Sequence, residues 1–223
     1  HEDYIEISRA MNAGSYEVAL SHIDVALPKL FQLMGPTKAS SPYLEMLKLK
    51  ATVLQRLALE RSPENDADGR LTNFRLSQEV FEEILKILDP DNVRATLVVP
   101  RPGAGSVDIV KQMKLRSIEP DCIDDQGQFR NINVGYLRET VLTYAEGLTL
   151  EAMVTQNFNN ISAISDLYDQ VECLTVSPSD QSWDNFIPLR LAADRALLNK
   201  QFFYSQYGWA QIRNGLVDSA LAA

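Results

Sequence analysis

Residues 12–27, NAGSYEVALSHIDVAL, hold a turn and the start of an amphipathic helix in one short stretch. Gly14 takes positive φ without a steric penalty, so a preceding helix ends there. Tyr16, Ala19, Leu20, Ile23, Ala26 and Leu27 then recur at helical spacing, which predicts a helix with one apolar stripe. Ala19 and Ala26 stand seven residues apart, and their small side chains let a neighbouring helix approach closely at little entropic cost. Upstream, Tyr4, Ile7 and Ala10 repeat at helical spacing and supply that neighbour. The opening of the chain therefore predicts a helix pair over about 2–33, closed by Met34-Gly35-Pro36.

The same punctuation recurs downstream. Ser41-Pro42 is a helix-start signal with proline in the first turn. From there to residue 60, Leu44, Leu47, Ala51, Leu54 and Ala58 form one apolar stripe, and Met46, Val53 and Leu57 add a second. A helix apolar on two sides is covered on both. Its remaining face carries Lys48, Thr52, Gln55 and Arg56. After the charged loop RSPENDADGR, Phe74, Val80, Phe81, Ile84, Leu85 and Leu88 predict a further helix over 71–88, so a second pair spans about 42–88. It ends in Leu-Asp-Pro, where proline blocks continuation.

Residues 91–133 interrupt this rhythm and read as an irregular insertion. Thr96–Val99 is a short β-prone run, Pro100–Gly105 a proline-glycine loop, Ser106–Arg116 a short helix, and 120–128 an acidic stretch. A β-run, glycine loop and helix invite a phosphate-cradle reading. The Gly-Lys-Ser/Thr of a P-loop and the third glycine of a dinucleotide fingerprint are both missing, so a surface insertion is expected instead. Helical spacing resumes with Leu137, Val141, Tyr144, Leu148 and Ala152. It turns at Gln156-Asn157-Phe158, with the asparagine expected to supply the turn residue, and continues through Ile161, Ile164 and Tyr168, giving a third pair over 134–177. Trp183, Phe186, Leu189, Ala193 and Leu197 predict one more helix, and Phe202, Phe203, Tyr207 and Trp209 an unusually aromatic one after it, a fourth pair over 183–213 before Asn214-Gly215.

Gly14, Tyr16, Ala19 and Ala26, with Ile23 between the alanines, resemble the second helix of a tetratricopeptide (TPR) repeat. The Leu-Asp-Pro closing the second pair is similar to the end of such a repeat. The tryptophan and the leucine-glycine pair of that family's first helix are missing here, so the repeats are degenerate. The resemblance implies an all-α fold: a right-handed superhelix of about four antiparallel helix pairs in a single domain over 1–223. It also implies a groove, lined by the first helix of each pair, that binds peptides or partner proteins.

Composition narrows the function classes. A net charge of −9, with no dense Lys/Arg cluster, argues against nucleic acid as partner. No apolar run reaches the ~20 residues of a membrane span. No charged-then-apolar leader opens the chain, and an intracellular, cytoplasmic or nuclear, setting is expected. Cys122 and Cys173 are expected as free thiols, a disulfide being the alternative. The sequon Asn160-Ile161-Ser162 falls on a helix and is set aside. Glu64, Asp66, Asp68 and Gly69 imitate the start of a calcium loop. Its twelfth position would be Arg75, a cation where a bidentate glutamate is needed, so no metal is expected there.

No catalytic constellation emerges. His1 and His22 are the only histidines, no nucleophile elbow, paired-cysteine or HExxH motif occurs, and carboxylate pairs such as Glu82-Glu83 fit solvated helix faces. No cofactor is expected. The leading expectation is a scaffold or adaptor whose groove presents Lys48, Gln55, Arg56 and Arg138 to an acidic peptide or a C-terminal carboxylate. The alternative is a regulatory or structural domain of a larger assembly, docking through the aromatic cluster Phe202, Phe203, Tyr207 and Trp209.

Overall fold

The computed structural model describes residues 2–34, 41–62, 65–90, 128–175 and 183–213. Among these, every regular element is a helix: α1 (Glu2–Asn12), α2 (Tyr16–Met34), α3 (Ser41–Glu60), α4 (Ala67–Leu88), α5 (Gln128–Thr155), α6 (Ile161–Thr175) and α7 (Trp183–Arg213). The chain divides into two compact units, His1–Pro90 and Asp91–Ala223. The β-run, glycine loop, short helix and acidic stretch expected between 91 and 127 lie outside the described residues, as does Asn214-Gly215.

In the first unit each helix packs on the next in sequence: α1 on α2, α2 on α3, α3 on α4. The reason for α3's two apolar stripes is visible here. Leu44, Leu47, Ala51, Val53, Leu54 and Ala58 are all buried between the helices on either side. Ala19, Ile23 and Ala26 are buried on α2, as the seven-residue alanine spacing requires for a close helix neighbour. Ile7 and Ala10 are buried on α1, while Tyr4 is exposed. One buried polar contact links α3 and α4: the Ser77 hydroxyl donates to the Ala51 carbonyl at 3.0 Å. Pro28 sits inside α2 on an exposed side, a helix-breaking residue tolerated because its neighbours Ala26 and Leu27 are held in the core.

The turn at Gly14 is a Schellman motif. Gly14 has φ +71°, the Ser15 amide donates to the Ala10 carbonyl at 2.9 Å, and the Gly14 amide to the Met11 carbonyl at 3.1 Å. The end of α5 uses the same six-to-one bond, from the Asn157 amide to the Ala152 carbonyl at 3.1 Å. Asn157 therefore stands after α5 where Ser15 stands after α1. The left-handed residue, however, is Gln156 at φ 54°, the counterpart of Gly14. Asn157 instead accepts the Asn159 amide on its side-chain oxygen at 3.1 Å, and the turn runs on to Asn160 before α6 begins.

In the second unit α5 packs on α6, α6 on α7, and α7 directly on α5, a three-helix arrangement. Val141, Leu142, Ala145, Ile164, Tyr168, Val171, Ala196 and Phe203 form its core. Two expectations need correction. The fourth pair over 183–213 is a single unbroken helix, because no glycine or proline stands between Leu197 and Phe202 to stop it. The third pair begins at Gln128, not 134, so the insertion gives up residues 128–133 to α5.

Candidate interaction surfaces

The turn that resembled a calcium loop caps a helix. Asp66 is the N-cap of α4, and its carboxylate accepts the Gly69 amide at 3.1 Å. The Arg61 guanidinium holds the other carboxylate oxygen and reaches Glu17 of α2 at 3.5 Å. Arg61 and the Gly69 amide hold the Asp66 carboxyl below its ordinary range, against the opposing pull of partial desolvation. The carboxylate is thus engaged by its own helix start. Among the described residues no group of three His, Cys, Asp or Glu is placed to hold a metal ion. Glu64, Cys122 and the side chain of Cys173 lie outside them. His22 is half-buried on α2.

Lys48, Gln55 and Arg56 share α3 of the first unit. Lys48 and Gln55 are seven residues apart and so lie on one stripe. Lys48 is largely covered and 3.8 Å from Glu45, Gln55 is half-buried, and Arg56 is exposed. Arg138 is half-buried on α5, in the second unit, so the four residues do not share an element.

The aromatic cluster divides. Phe203 is fully buried and packs against Phe158 with ring centroids 5.8 Å apart, while Tyr207, half-buried, meets Phe158 at 5.7 Å. These two rings hold the α5–α6 turn against α7. Phe202 and Trp209 face outward at 51% and 59% exposure, accompanied by Leu198 at 64% and Ile212 at 45%. Leu198, Phe202, Ser205, Trp209 and Ile212 follow one another at intervals of four, three, four and three. That is the spacing of a coiled-coil seam, laid along the outer side of α7. Leu198 and Ile212 were not singled out from the sequence, although the interval pattern was there to be found.

Beside this row runs an open groove of about 580 Å³, lined chiefly by α7 residues, among them Leu197, Gln201, Tyr204, Gly208 and Ile212, with Tyr168 of α6 at its floor. Polar ties along α7 fix it to its own unit. Arg195 binds the Glu146 carboxylate through two nitrogens, one at 2.6 Å, and Asn199 donates to the same group at 2.6 Å. Lys200 pairs with Asp169 of α6, and Arg213 donates to the Gln156 side chain at 2.6 Å. Tyr168 is buried with its hydroxyl 2.9 Å from that of Thr149, and burial raises its pKa to about 12. The face with the exposed apolar row is therefore carried on a helix braced at four points. Among the described residues no helix is long and apolar enough to cross a membrane.

Comparison with protein-family models, curated proteins and solved structures finds no match to this chain. The functional reading therefore rests on these surfaces.

Proposed function

We propose that this chain is a protein-interaction domain, a scaffold or adaptor, that engages its partner through the outer face of α7. The observation that carries this reading is the exposed row of Leu198, Phe202, Trp209 and Ile212 on a helix whose inner residues Ala196, Phe203 and Ala210 are buried and whose polar side chains tie it to α5 and α6. Isolated exposed apolar residues are ordinary, but several in a single line on one rigid helix mark a contact surface. The tetratricopeptide likeness of the first unit supports the same class of function. Its α1–α4 pack in sequence order, and a Schellman turn lies where the repeat's turn is expected.

A second reading keeps α3 as the contact surface, with Arg56 exposed and Gln55 beside it to receive an acidic peptide. A photo-reactive amino acid placed at Phe202, at Arg56, or at exposed Thr72 of α4 as a control separates the two. Adducts of defined mass formed at position 202 but not at 72 are the expected result. Adducts at 56 alone would move the interface to α3, and none at either position would overturn the interaction reading.

A further inference from the structure

The row on α7 has the geometry to receive another helix, and its own sequence complements it. We infer that the occupant is α7 of a second copy of this chain, laid antiparallel across the seam. This rests on the proposed interaction role of α7 and specifies its partner.

Intervals of four and three keep the row in line with a partner helix crossing at a shallow angle, about 20°. In an antiparallel pair the two seam positions face each other. One register sets Trp209 against Leu198 of the other copy, Phe202 against Ser205, and Arg195 against Ile212. Each layer then joins a large side chain to a smaller or flexible one. The Arg195 stem covers Ile212 while its guanidinium stays on Glu146, an arrangement suited to a long amphipathic side chain. A parallel pair is disfavoured on the same residues. It would place Arg195 opposite Arg195 and the two Trp209 rings in one layer. Between Leu198 and Trp209 the seam's flanks, Asn199, Gln201, Gln206 and Gly208, carry no charge, and at its two ends the flanking charges are of opposite sign, Asp194 and Arg213.

The area agrees. Two half-exposed aromatics and three aliphatic side chains, Leu197 included, leave roughly 500 Å² of apolar surface open on each copy. With a polar rim, a pair clears the ~1,000 Å² expected of a specific interface.

Sedimentation of the 223-residue chain tests this. The expected result is a concentration-dependent species of twice the 25.0 kDa chain mass, reduced to monomer by Trp209→Glu. That position is exposed, so circular dichroism should show unchanged helicity. Orientation is tested in a Cys122→Ser, Cys173→Ser background. Chains carrying Leu198→Cys mixed with chains carrying Trp209→Cys should form disulfide-linked dimers under mild oxidation. Leu198→Cys alone should not, because the two copies of that position lie about 16 Å apart along the antiparallel helices, beyond disulfide reach. A chain that stays monomeric as concentration rises, a dimer indifferent to Trp209→Glu, or self-linking of Leu198→Cys would each overturn the inference. A monomer that still yields adducts with a different protein at position 202 would leave the interaction role standing and remove only the second copy as its occupant.

Discussion

Gln156 occupies a backbone conformation that costs a non-glycine residue about 1 kcal/mol. The equivalent position at the end of α1 is glycine. What Gln156 gains there is a side-chain bond to Arg213 and one to the Met153 carbonyl, both on the exposed surface, where such bonds contribute little. Gln156→Gly should therefore stabilise the protein by about 1 kcal/mol, read as a rise in Tm. Tyr168 gives a pH signature at the same scale. Its neutral form is favoured in the folded state, with a pKa raised from 10.0 to about 12, chiefly by burial. Below pH 10 folded and unfolded chains both keep the proton. Between 10 and 12 only the unfolded chain releases it, so stability falls by on the order of 2–3 kcal/mol across that window. Tyr168→Phe should lower stability at neutral pH through the lost Thr149 contact and flatten the alkaline decline. Equal alkaline slopes in the two proteins would show that this tyrosine is not its source.

At the scale of elements, the start of α4 sets two effects against each other. Replacing Gly69 with alanine favours the helix by about 1 kcal/mol on intrinsic propensity. The added Cβ, however, would collide with Asp66 Oδ1, so the carboxylate must leave the cap. The two changes are coupled, and a double-mutant cycle should show it. Asp66→Ala is expected to destabilise the wild type, and to cost almost nothing once Gly69→Ala has displaced the cap. Because the Asp66 pKa is lowered in the folded state, its contribution is present above the ordinary carboxylate range and lost as pH falls through the folded value. The wild-type preference over Asp66→Asn should accordingly vanish in acid. Additive losses in the cycle would mean that Asp66 stabilises through Arg61 alone.

On the scale of the molecule, the first unit, residues 1–90, carries the buried Ile7, Ile23, Leu54, Phe74 and Phe81 on helices that pack on one another in sequence order. That segment expressed alone should be helical and unfold in a single cooperative transition, as small domains with one core do. A non-cooperative melt by circular dichroism would show that it depends on the rest of the chain. The second unit owes its arrangement to α7, which touches both α5 and α6. Substituting Glu146, which ties Arg195 and Asn199 across that contact, is the direct way to loosen it.

Much of this was legible in the residues. Helical spacing is a local property, so the all-helical class and the covering of α3 on both sides follow from intervals of three and four, and the stop at Gly14 from glycine's tolerance of positive φ. The division of the aromatic cluster did not follow. Phe202 and Phe203 are adjacent in sequence and a helical turn separates them by about 100°, so which one meets Phe158 depends on where α6 and α7 pack. The unbroken α7 was hidden for a related reason. Its mixture of buried and exposed apolar positions has no single stripe until the core side is known. Likewise the Gln156 conformation is imposed by the return of the chain from α5 to α6, not by any preference of glutamine. Which segments are helices, and where most of them begin and end, was written in the residues alone, because backbone geometry and capping are settled within a few positions. Which apolar side chains became core and which stayed on the surface was settled by packing, because burial depends on residues distant in the chain.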